Sequence, residues 1–215
     1  MTDRRQFVTF EALAEVVETR GMFQRSVSAI AGPPGSGKST LAKRLAEALN
    51  TRDAQSAAIF PMDGYHFDDS ILKERGWRTR KGAPHTFDVV GFTQMLARLR
   101  RNEEDEIAVP VFDRNIEIAR NSARIIARSV RHLIVEGNYL LLNAAPWNAL
   151  GSLFDTTVFL NVPMETLQER LAARWKDLNQ EDRSIKLEEN DLPNARLVCS
   201  ESRSPEFIVG TKTTV

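Results

Sequence analysis

Apolar residues near the amino end of the chain recur at the spacing of a helix. Within residues 9–20, Phe10, Leu13 and Val17 follow one another at intervals of three and four, and Gly21 comes directly afterwards. These intervals place side chains on one face of a helix, and glycine commonly ends one. The segment therefore predicts an amphipathic helix that packs one face against the rest of the protein.

Short apolar runs farther along the chain end at glycine, an acidic residue or proline and predict β-strands. These runs occupy residues 27–31, 57–62, 107–112, 133–135 and 153–162. Segments with helical spacing lie among them, at residues 41–49, 88–100 and 164–178. The alternating polar sequence between the third and fourth runs is typical of a hairpin. Strands that alternate with helices predict an α/β fold, with a mostly parallel central sheet covered by helices on both faces.

Two further segments complete the predicted organisation. Residues 176–190 are mostly charged and predict a mobile lid, whereas residues 194–209 predict one helix and a last short strand. No internal repeat and no linker rich in glycine, serine or proline divides the chain,. Residues 1–215 are therefore predicted to form one domain, with a helical extension at 1–25 and a lid region at about 164–190.

Composition and charge exclude several classes of protein. Hydrophobic residues make up 42% of the chain, and its 29 lysines and arginines balance 29 aspartates and glutamates. Such a chain has no overall positive field to hold nucleic acid or an anionic membrane, and it contains no apolar run long enough to span a bilayer. Its single cysteine, Cys199, forms no internal disulfide,. We expect a cytoplasmic protein without a nucleic-acid or membrane partner, and its assembly as a monomer or a homodimer stays open.

The strongest chemical signal is a glycine-rich loop between the first long apolar run and the helix that follows it. Residues 32–39 have the sequence GPPGSGKS, which fits the pattern G-x-x-x-x-G-K-[ST],. Because its two prolines lack an N–H, the donors to a phosphate must come from residues 35–39. Lys38 is expected to contact the β- and γ-phosphates, and the Ser39 hydroxyl to bind Mg²⁺. The predicted nucleotide-binding residues are Gly32, Gly35, Ser36, Gly37, Lys38, Ser39 and Thr40.

Two acidic residues follow predicted strands, at the edge of a parallel sheet where ligands bind. Asp63 comes after the run at 57–62 and is placed to accept the proton of an attacking hydroxyl,. Its alternative role is to cap the turn that it forms with Gly64. Glu136 follows the run at 133–135 and is placed to hold Mg²⁺ directly or through water, with a purely structural role as the alternative,.

Two arginines lie four residues apart on the predicted helix after Pro163, Arg170 and Arg174. Like charges at this spacing repel each other by about 0.2–0.5 kcal/mol unless an anion lies near them. We therefore predict that they neutralise a transferring phosphoryl group from the lid, with an ordinary solvated helix face as the alternative. Together with Lys38 and Asp63 they form the predicted catalytic set.

Several loop residues are candidates for contacts with an acceptor molecule, since functional side chains concentrate in loops. Trp77, Trp147 and Trp175 are instead predicted to pack in the core or at hinges,. The basic strings at residues 78–81 and 98–101 lack interleaved aromatic residues, and we interpret them as solvated faces rather than nucleic-acid sites,. The predicted substrate-binding residues are Asp63, Tyr65, His66, His85, Arg114 and Glu136.

Taken together, these strings resemble the P-loop kinases of small metabolites, a family that includes uridine kinase, phosphoribulokinase and the bacterial-type pantothenate kinases. The resemblance covers about residues 26–209. GPPGSGKST is similar to their Walker A loop, Met62-Asp63-Gly64 to the segment with their catalytic aspartate, and Val135-Glu136-Gly137 to the segment with their magnesium-linked glutamate. The resemblance implies a P-loop NTPase fold of the nucleotide-kinase type, with three layers and a helical lid.

Individual strings resemble different members of that family. Residues 80–88 and 189–193 are similar to strings of pantothenate kinase, which has a longer insertion around its lid helix. Uridine kinases carry a ribose-binding aspartate at the position of Gly82. The compact pattern with M-D-G-Y-H, V-E-G-N-Y and N-D-L-P-N resembles bacterial proteins described as fructose-transport-system kinases or fructokinases, which implies a sugar acceptor.

ATP, Mg²⁺ and a small-molecule acceptor are therefore the expected ligands. We predict a kinase that phosphorylates a hydroxyl of a small polar metabolite, in the first place a sugar such as fructose. Pantothenate or nucleoside kinase activity is the alternative within the family. A nucleotide-binding ATPase or regulator without a small acceptor is the alternative outside it, although the guanine-selecting [NT]-K-x-D and the transporter signature LSGGQ are both absent from the sequence.

Overall fold

The fold is built on a parallel sheet with helices on both faces, in a computed structural model that describes residues 6–210. The strands are β1 (Gln6–Phe7), β2 (Ser26–Ala31), β3 (Ala57–Pro61), β4 (Glu106–Asp113), β5 (Ile118–Ala127), β6 (His132–Gly137), β7 (Thr156–Asn161) and β8 (Phe207–Gly210). The helices are α1 (Phe10–Arg20), α2 (Lys38–Arg52), α3 (Asp69–Glu74), α4 (Val89–Arg101), α5 (Met164–Arg174), α6 (Gln180–Ser184) and α7 (Leu192–Glu201). Short 3₁₀ turns occupy Met62–Tyr65, Arg78–Arg80, Pro84–Thr86 and Trp147–Leu153, and a π-helix occupies Ile185–Asp191.

Six strands pair in the order β1-β8-β7-β2-β6-β3, each parallel to its neighbours. Every residue of β2 and β6 is buried, as expected for central strands with both faces covered. The register pairs Ile30 of β2 and Pro61 of β3 with Glu136 of β6. The carboxyl ends of these three strands therefore lie level at one edge of the sheet.

Alternate residues of the central strands pack into two separate hydrophobic cores. On one face, Ile30 and Ile134 belong to the core formed with α1 and α2. On the other face, Val27 and Val135 pack with α4, α7 and the buried Trp147. The predicted α/β fold with helices on both faces is thus confirmed, as is the core position of this tryptophan.

Capping contacts confirm the predicted starts of two helices. The Thr9 hydroxyl accepts a hydrogen bond of 3.3 Å from the Ala12 amide at the start of α1. Asp88 Oδ1 accepts one of 2.9 Å from the Gly91 amide at the start of α4. Such caps satisfy amides that the first turn of a helix leaves without partners. Helix α2 differs, because its N-cap is Gly37 and no side chain caps its first turn.

Strands β4 and β5 form a separate antiparallel ribbon, which confirms the predicted hairpin. A Cβ atom on Gly64 would lie 2.7 Å from the carbonyl oxygen of Pro110 in β4. Glycine therefore allows the ribbon to pack closely against the turn Met62–Tyr65. This packing holds the ribbon beside the carboxyl end of β3.

The apolar run at 153–162 is not one continuous strand, contrary to its prediction. Its first residue ends a 3₁₀ turn, and β7 begins at Thr156. Asp155 lies between the two elements, where its carboxylate accepts the Val27 amide at 2.8 Å and forms an ion pair with Arg100 at 2.7 Å. These bonds fix the break before β7, and periodicity alone does not reveal them.

The charged segment 176–190, predicted as a lid, is largely helical, with α6 followed by the π-helix. Helix α5 before it ends at Arg174, earlier than the apolar spacing predicts. Leu187 and Leu192 pack on Leu171 of α5 in a small core of their own. The lid region is therefore a compact unit beside the sheet, and its motion stays a prediction.

The amino-terminal extension is joined to the fold by two sets of contacts. Strand β1 pairs with β8 at the edge of the sheet, and α1 packs on α2. The strand was not predicted, because its pairing covers only two residues on each side. The remainder of the extension, residues 1–5, lies outside the described part of the chain. Within residues 6–210, no helix is both long enough and apolar enough to cross a membrane.

Candidate active site

The glycine-rich loop runs from the end of β2 to the first turn of α2. Gly35 and Gly37 have φ angles of 81° and 94°, a region that other residues rarely adopt,. The Ser36 amide is already engaged, since it donates to the Pro33 carbonyl oxygen at 3.1 Å. No side chain of residues 6–210 caps the amides in the first turn of α2, and these amides lie at the positive end of the helix dipole. They are therefore available to bind a phosphate group.

Three neighbouring strands bring the main charged side chains together. Lys38 follows the loop after β2, Asp63 lies in the turn after β3, and Glu136 lies at the end of β6. The Ser39 hydroxyl donates a hydrogen bond of 3.0 Å to Glu136 Oε2. Residues far apart in the sequence thus meet at one edge of the sheet. Each of them follows a strand, and this position predicts that they lie at that edge.

A cleft with a volume of 340 Å³ lies at these strand ends. The predicted site residues that line it are Gly35, Gly37, Lys38, Ser39, Thr40, Asp63, His66, Arg114, Arg170 and Arg174.

We divide the lining of the cleft into two parts. The loop end is the part formed by Gly35, Gly37, Lys38, Ser39, Thr40, Arg170 and Arg174. The polar end is the part formed by Asp63, His66, Lys81, Gly82, Arg114, Asn138, Asn190 and Asn194. Glu136 does not line the cleft itself but supports the loop end through its bond to Ser39.

Besides Glu136, four predicted site residues lie away from the cleft surface. Gly32 and Ser36 pack against each other, since a Cβ atom on Gly32 would lie 2.8 Å from Ser36 Oγ. Tyr65 faces the core, where its ring lies 5.2 Å from a phenylalanine ring. His85 packs edge-on against Trp77, with 4.9 Å between ring centroids. The structure therefore does not bring Tyr65 and His85 to the predicted substrate site.

The two lid arginines lie on the side of α5 that faces the loop. Arg170 Nη1 donates to the carbonyl oxygens of Gly35 and Ser36 at 3.2 and 3.4 Å. A Cβ atom on Gly35 would lie 3.2 Å from Leu171 Cγ, so the loop and the helix are in close contact. Arg174, one turn farther along, lines the cleft. Both side chains are exposed, so the part of α5 that carries them is solvated, and their role toward a phosphoryl group stays a prediction.

Burial and neighbouring charges shift the pKa values of the clustered residues. Burial lowers the pKa of the Lys38 ammonium, although Glu136 and Asp63 oppose this shift. Burial, followed by repulsion from Asp63, raises the pKa of Glu136. For Asp63, burial is outweighed by nearby cationic groups, His66 and Arg114 foremost, which hold its pKa below the ordinary aspartate value. Asp63 is therefore ionised near neutral pH. A cation beside Glu136 would stabilise the ionised form of its carboxylate.

His66 fixes the turn that carries Asp63. Its Nδ1 lies 2.7 Å from the carbonyl oxygen of Asp63. Its ring packs against Phe87 and Phe112, with centroid distances of 4.1 and 4.8 Å. Burial lowers the pKa of His66, although the neighbouring Asp63 opposes this shift.

Lys81 is a site residue that the sequence did not reveal. It is buried, and its Nζ donates to Asp69 Oδ1 at 2.6 Å and to the Glu117 carbonyl oxygen at 2.5 Å. The interpretation of residues 78–81 as a solvated face is wrong for this lysine, because a carboxylate and a carbonyl group satisfy its charge inside the protein. The one signal in the sequence was that residues 80–88, which include Lys81, resemble a string of pantothenate kinase, and this resemblance assigned no function to the lysine.

Asn190 links the π-helix to the loop at Lys81 and Gly82. Its Nδ2 donates to the Lys81 carbonyl oxygen at 2.8 Å, and its Oδ1 accepts from Asn194 Nδ2 at 3.0 Å. The Tyr139 hydroxyl donates to the Gly82 carbonyl oxygen at 2.6 Å. The polar end is thus held by side chains from distant parts of the chain, none of which was predicted as a site residue.

Trp175 closes one wall of the cleft. Its Nε1 donates to Asp191 Oδ2 at 2.8 Å, and the Lys186 ammonium lies 5.5 Å from its ring centroid. All three residues line the cleft. Burial raises the pKa of Asp191. Trp175 therefore packs where the lid segment begins and also forms part of the site, and its role as a hinge stays a prediction.

Known proteins are similar to this chain in sequence. Residues 29–191 match the family described as AAA domain. The Escherichia coli K12 protein YggC is 35% identical over 190 residues, which cover 86% of this chain and 78% of YggC. A Schizosaccharomyces pombe protein named as a putative uridine kinase is 32% identical over 195 residues, which cover 86% of this chain and 83% of that protein. The chain belongs to the P-loop kinase family.

A solved structure agrees with this membership. The crystal structure of a putative fructose transport system kinase from Silicibacter sp. TM1040 is 38% identical and matches with a TM-score of 0.86. The match covers 94% of this chain and 98% of the Silicibacter chain. This P-loop kinase therefore has the predicted α/β P-loop NTPase fold, and kinases of this family act on small molecules.

Proposed function

We propose that this P-loop kinase transfers the γ-phosphoryl group of ATP to a hydroxyl of a small uncharged polyol, in the first place a sugar such as fructose. The observation that carries the proposal is the meeting of Lys38, Asp63 and the Ser39–Glu136 pair at one cleft. The Silicibacter relative, whose name refers to fructose transport, supports the choice of a sugar.

The loop end has the chemistry that a triphosphate needs. Free amides at the start of α2 can bind phosphate oxygens, and Lys38 lies half-buried beside them,. Arg170 and Arg174 add two guanidinium groups from helix α5. Enzymatic phosphoryl transfer depends mainly on positioning and on neutralising the charge of the transferred group. We assign both functions to these side chains.

Ser39 and Glu136 fit a magnesium ion. Ser39 Oγ and Glu136 Oε2 are 3.0 Å apart, and both are the hard oxygen donors that this ion prefers. A bound Mg²⁺ would neutralise phosphate charge and offset the cost of burying ionised Glu136.

Asp63 is the proposed base. It is ionised at neutral pH and lies among the cleft residues next to Lys38. As the acceptor oxygen forms its bond to the γ-phosphorus, the hydroxyl proton passes to the Asp63 carboxylate. The bond between the γ-phosphorus and the bridging oxygen breaks, and ADP leaves with that oxygen.

The charges of the polar end favour an acceptor without a carboxylate. Arg114 is paired with Asp63 at 2.7 Å, and Lys81 is paired with Asp69 at 2.6 Å. An anionic acceptor would have to displace Asp69 from the buried Lys81 to gain a cation there. The buried Asn138 Oδ1 has no hydrogen-bond partner within residues 6–210. An amide oxygen of this kind is satisfied by a hydroxyl donor, as a polyol supplies.

An acceptor panel tests the proposal. ADP release from Mg·ATP is measured with fructose, other sugars, pantothenate and nucleosides, and with no acceptor, for the wild type and Asp63→Asn. We expect acceleration by a sugar and its loss in the variant. Acceleration by pantothenate or a nucleoside alone would replace the sugar with the corresponding family alternative. ADP release that no acceptor changes would defeat the kinase proposal and favour an ATPase or regulator.

A further inference from the structure

The proposed base is already bound to a neighbouring cation. Arg114 Nη2 donates to Asp63 Oδ2 at 2.7 Å. The Arg114 side chain is 68% exposed, whereas that of Asp63 is 21% exposed. The ion pair thus joins a largely solvated guanidinium, at the end of the β4–β5 ribbon, to a carboxylate inside the cleft.

This contact lowers the ability of Asp63 to take up a proton. A guanidinium stabilises the charged form of a carboxylate, so the carboxylate becomes a weaker base, and one of its oxygens is occupied. A largely exposed ion pair contributes little free energy, so an acceptor that fits the polar end can displace it. A water molecule makes too few contacts with the polar end to offset the loss of the ion pair.

We infer that Arg114 is a positioning residue that restrains Asp63 until an acceptor binds, and that it thereby suppresses transfer of the phosphoryl group to water. The inference rests on the proposed role of Asp63. In the suppressed reaction a water oxygen bonds to the γ-phosphorus, its proton passes to Asp63, and ADP leaves, which yields inorganic phosphate. When the acceptor hydroxyl takes the place of Arg114 at Asp63 Oδ2, the same steps yield the phosphorylated acceptor.

The ribbon offers a matched control for this arginine. Arg120 pairs with Asp113 at 3.2 Å, and its side chain is 60% exposed. Neither residue lines the cleft. Replacement of Arg120 therefore removes the same charge from the same ribbon without changing the surroundings of Asp63.

The test measures inorganic phosphate released from Mg·ATP without any acceptor, using the full chain. We expect Arg114→Gln to raise hydrolysis about two- to fivefold, the size expected for the loss of one largely exposed ion pair. Arg114→Lys, which keeps a cation, and Arg120→Gln are expected to stay near the wild-type rate. Thermal unfolding of each variant checks that the folds are equally stable.

A double variant separates this role from a merely structural one. The rise caused by Arg114→Gln should disappear in the Asp63→Asn background, since the restraint acts through that carboxylate. Equal hydrolysis in the wild type and Arg114→Gln, or a rise that persists in the Asp63→Asn background, would overturn the inference. Because the assay contains no acceptor, a rise that depends on Asp63 supports the inference even when no sugar in the panel is phosphorylated.

Discussion

The loop end and the polar end of the cleft are built in different ways. The loop end comes mainly from one short segment, residues 35–40 without Ser36, between one strand and the next helix, with two arginines from α5. The polar end draws Asp63, Lys81, Asn138 and Asn190 from four separate parts of the chain. Its side chains are held by long-range hydrogen bonds such as that from Asn190 to the Lys81 carbonyl oxygen.

This difference separates two functions. A phosphate tail is the same for every ATP-dependent kinase, so a short local motif with free amides can bind it. The acceptor differs between kinases, and its contacts come from segments that only the fold brings together. Changes at the loop end should therefore affect every acceptor alike, whereas changes at the polar end should alter acceptor use.

The largest effect is expected at the polar end, from Asp63→Asn. Loss of the base should lower kcat by about 10²–10⁴-fold, with ATP binding nearly unchanged. Steady-state kinetics and ATP titration of the variant measure both quantities. Asp113→Asn is the control, since this carboxylate pairs with Arg120 outside the cleft. Unchanged turnover in Asp63→Asn would remove Asp63 from the mechanism.

Lys38→Met tests the loop end. Removal of one preorganised cation near the transferred group should lower kcat by about 10²–10³-fold and weaken ATP binding as well. The same factor should appear with every accepted acceptor, because the lysine contacts only the nucleotide in our proposal. Lys43→Met, an exposed position on the same helix, is the control. A loss that depended on the acceptor would contradict the separation of the two ends.

Asn190→Ala tests the support of the polar end. The variant loses the bond to the Lys81 carbonyl oxygen and leaves the Asn194 amide without its acceptor, which should cost about 1–3 kcal/mol of unfolding free energy. The KM for the acceptor should rise more than the KM for ATP. Denaturant unfolding and kinetics on both substrates check this, with the exposed Asn143→Ala as control. An equal rise in both KM values would show that Asn190 serves the whole cleft.

The smallest expected effect concerns pH. Burial raises the pKa of Glu136, whereas cationic neighbours lower that of Asp63. On acidification, Glu136 therefore takes up a proton before Asp63. Since protons and Mg²⁺ compete for this carboxylate, a higher Mg²⁺ concentration should move the acid limb of kcat/KM for ATP to lower pH. Profiles at two Mg²⁺ concentrations measure the shift, and an acid limb insensitive to Mg²⁺ would argue against Glu136 as a ligand.

The loop end of the cleft is predictable from the sequence, whereas most of the polar end is not. Residues 35–40 are contiguous, and their spacing implies their conformation, so the loop was located without a structure. Asp63 and Glu136 were found because each follows an apolar run, and parallel strands place such residues at one edge. Tyr65 and His85 also lie close to these motifs, yet one faces the core and the other packs on Trp77. The position of a residue next to a motif in the sequence does not determine the direction of its side chain.

The sequence by itself determined the alternation of strands and helices, the phosphate-binding loop and the acidic residues after β3 and β6, since each depends on short-range spacing and on residue type. Only the tertiary structure decided that Lys81 is buried on Asp69, that Asn190 closes the polar end, and that Arg114 binds Asp63. Each of these contacts joins segments separated by a loop, a ribbon or the lid. The spacing of apolar residues in the sequence does not predict such a contact, because the contact forms only when the sheet and its two cores bring those segments together.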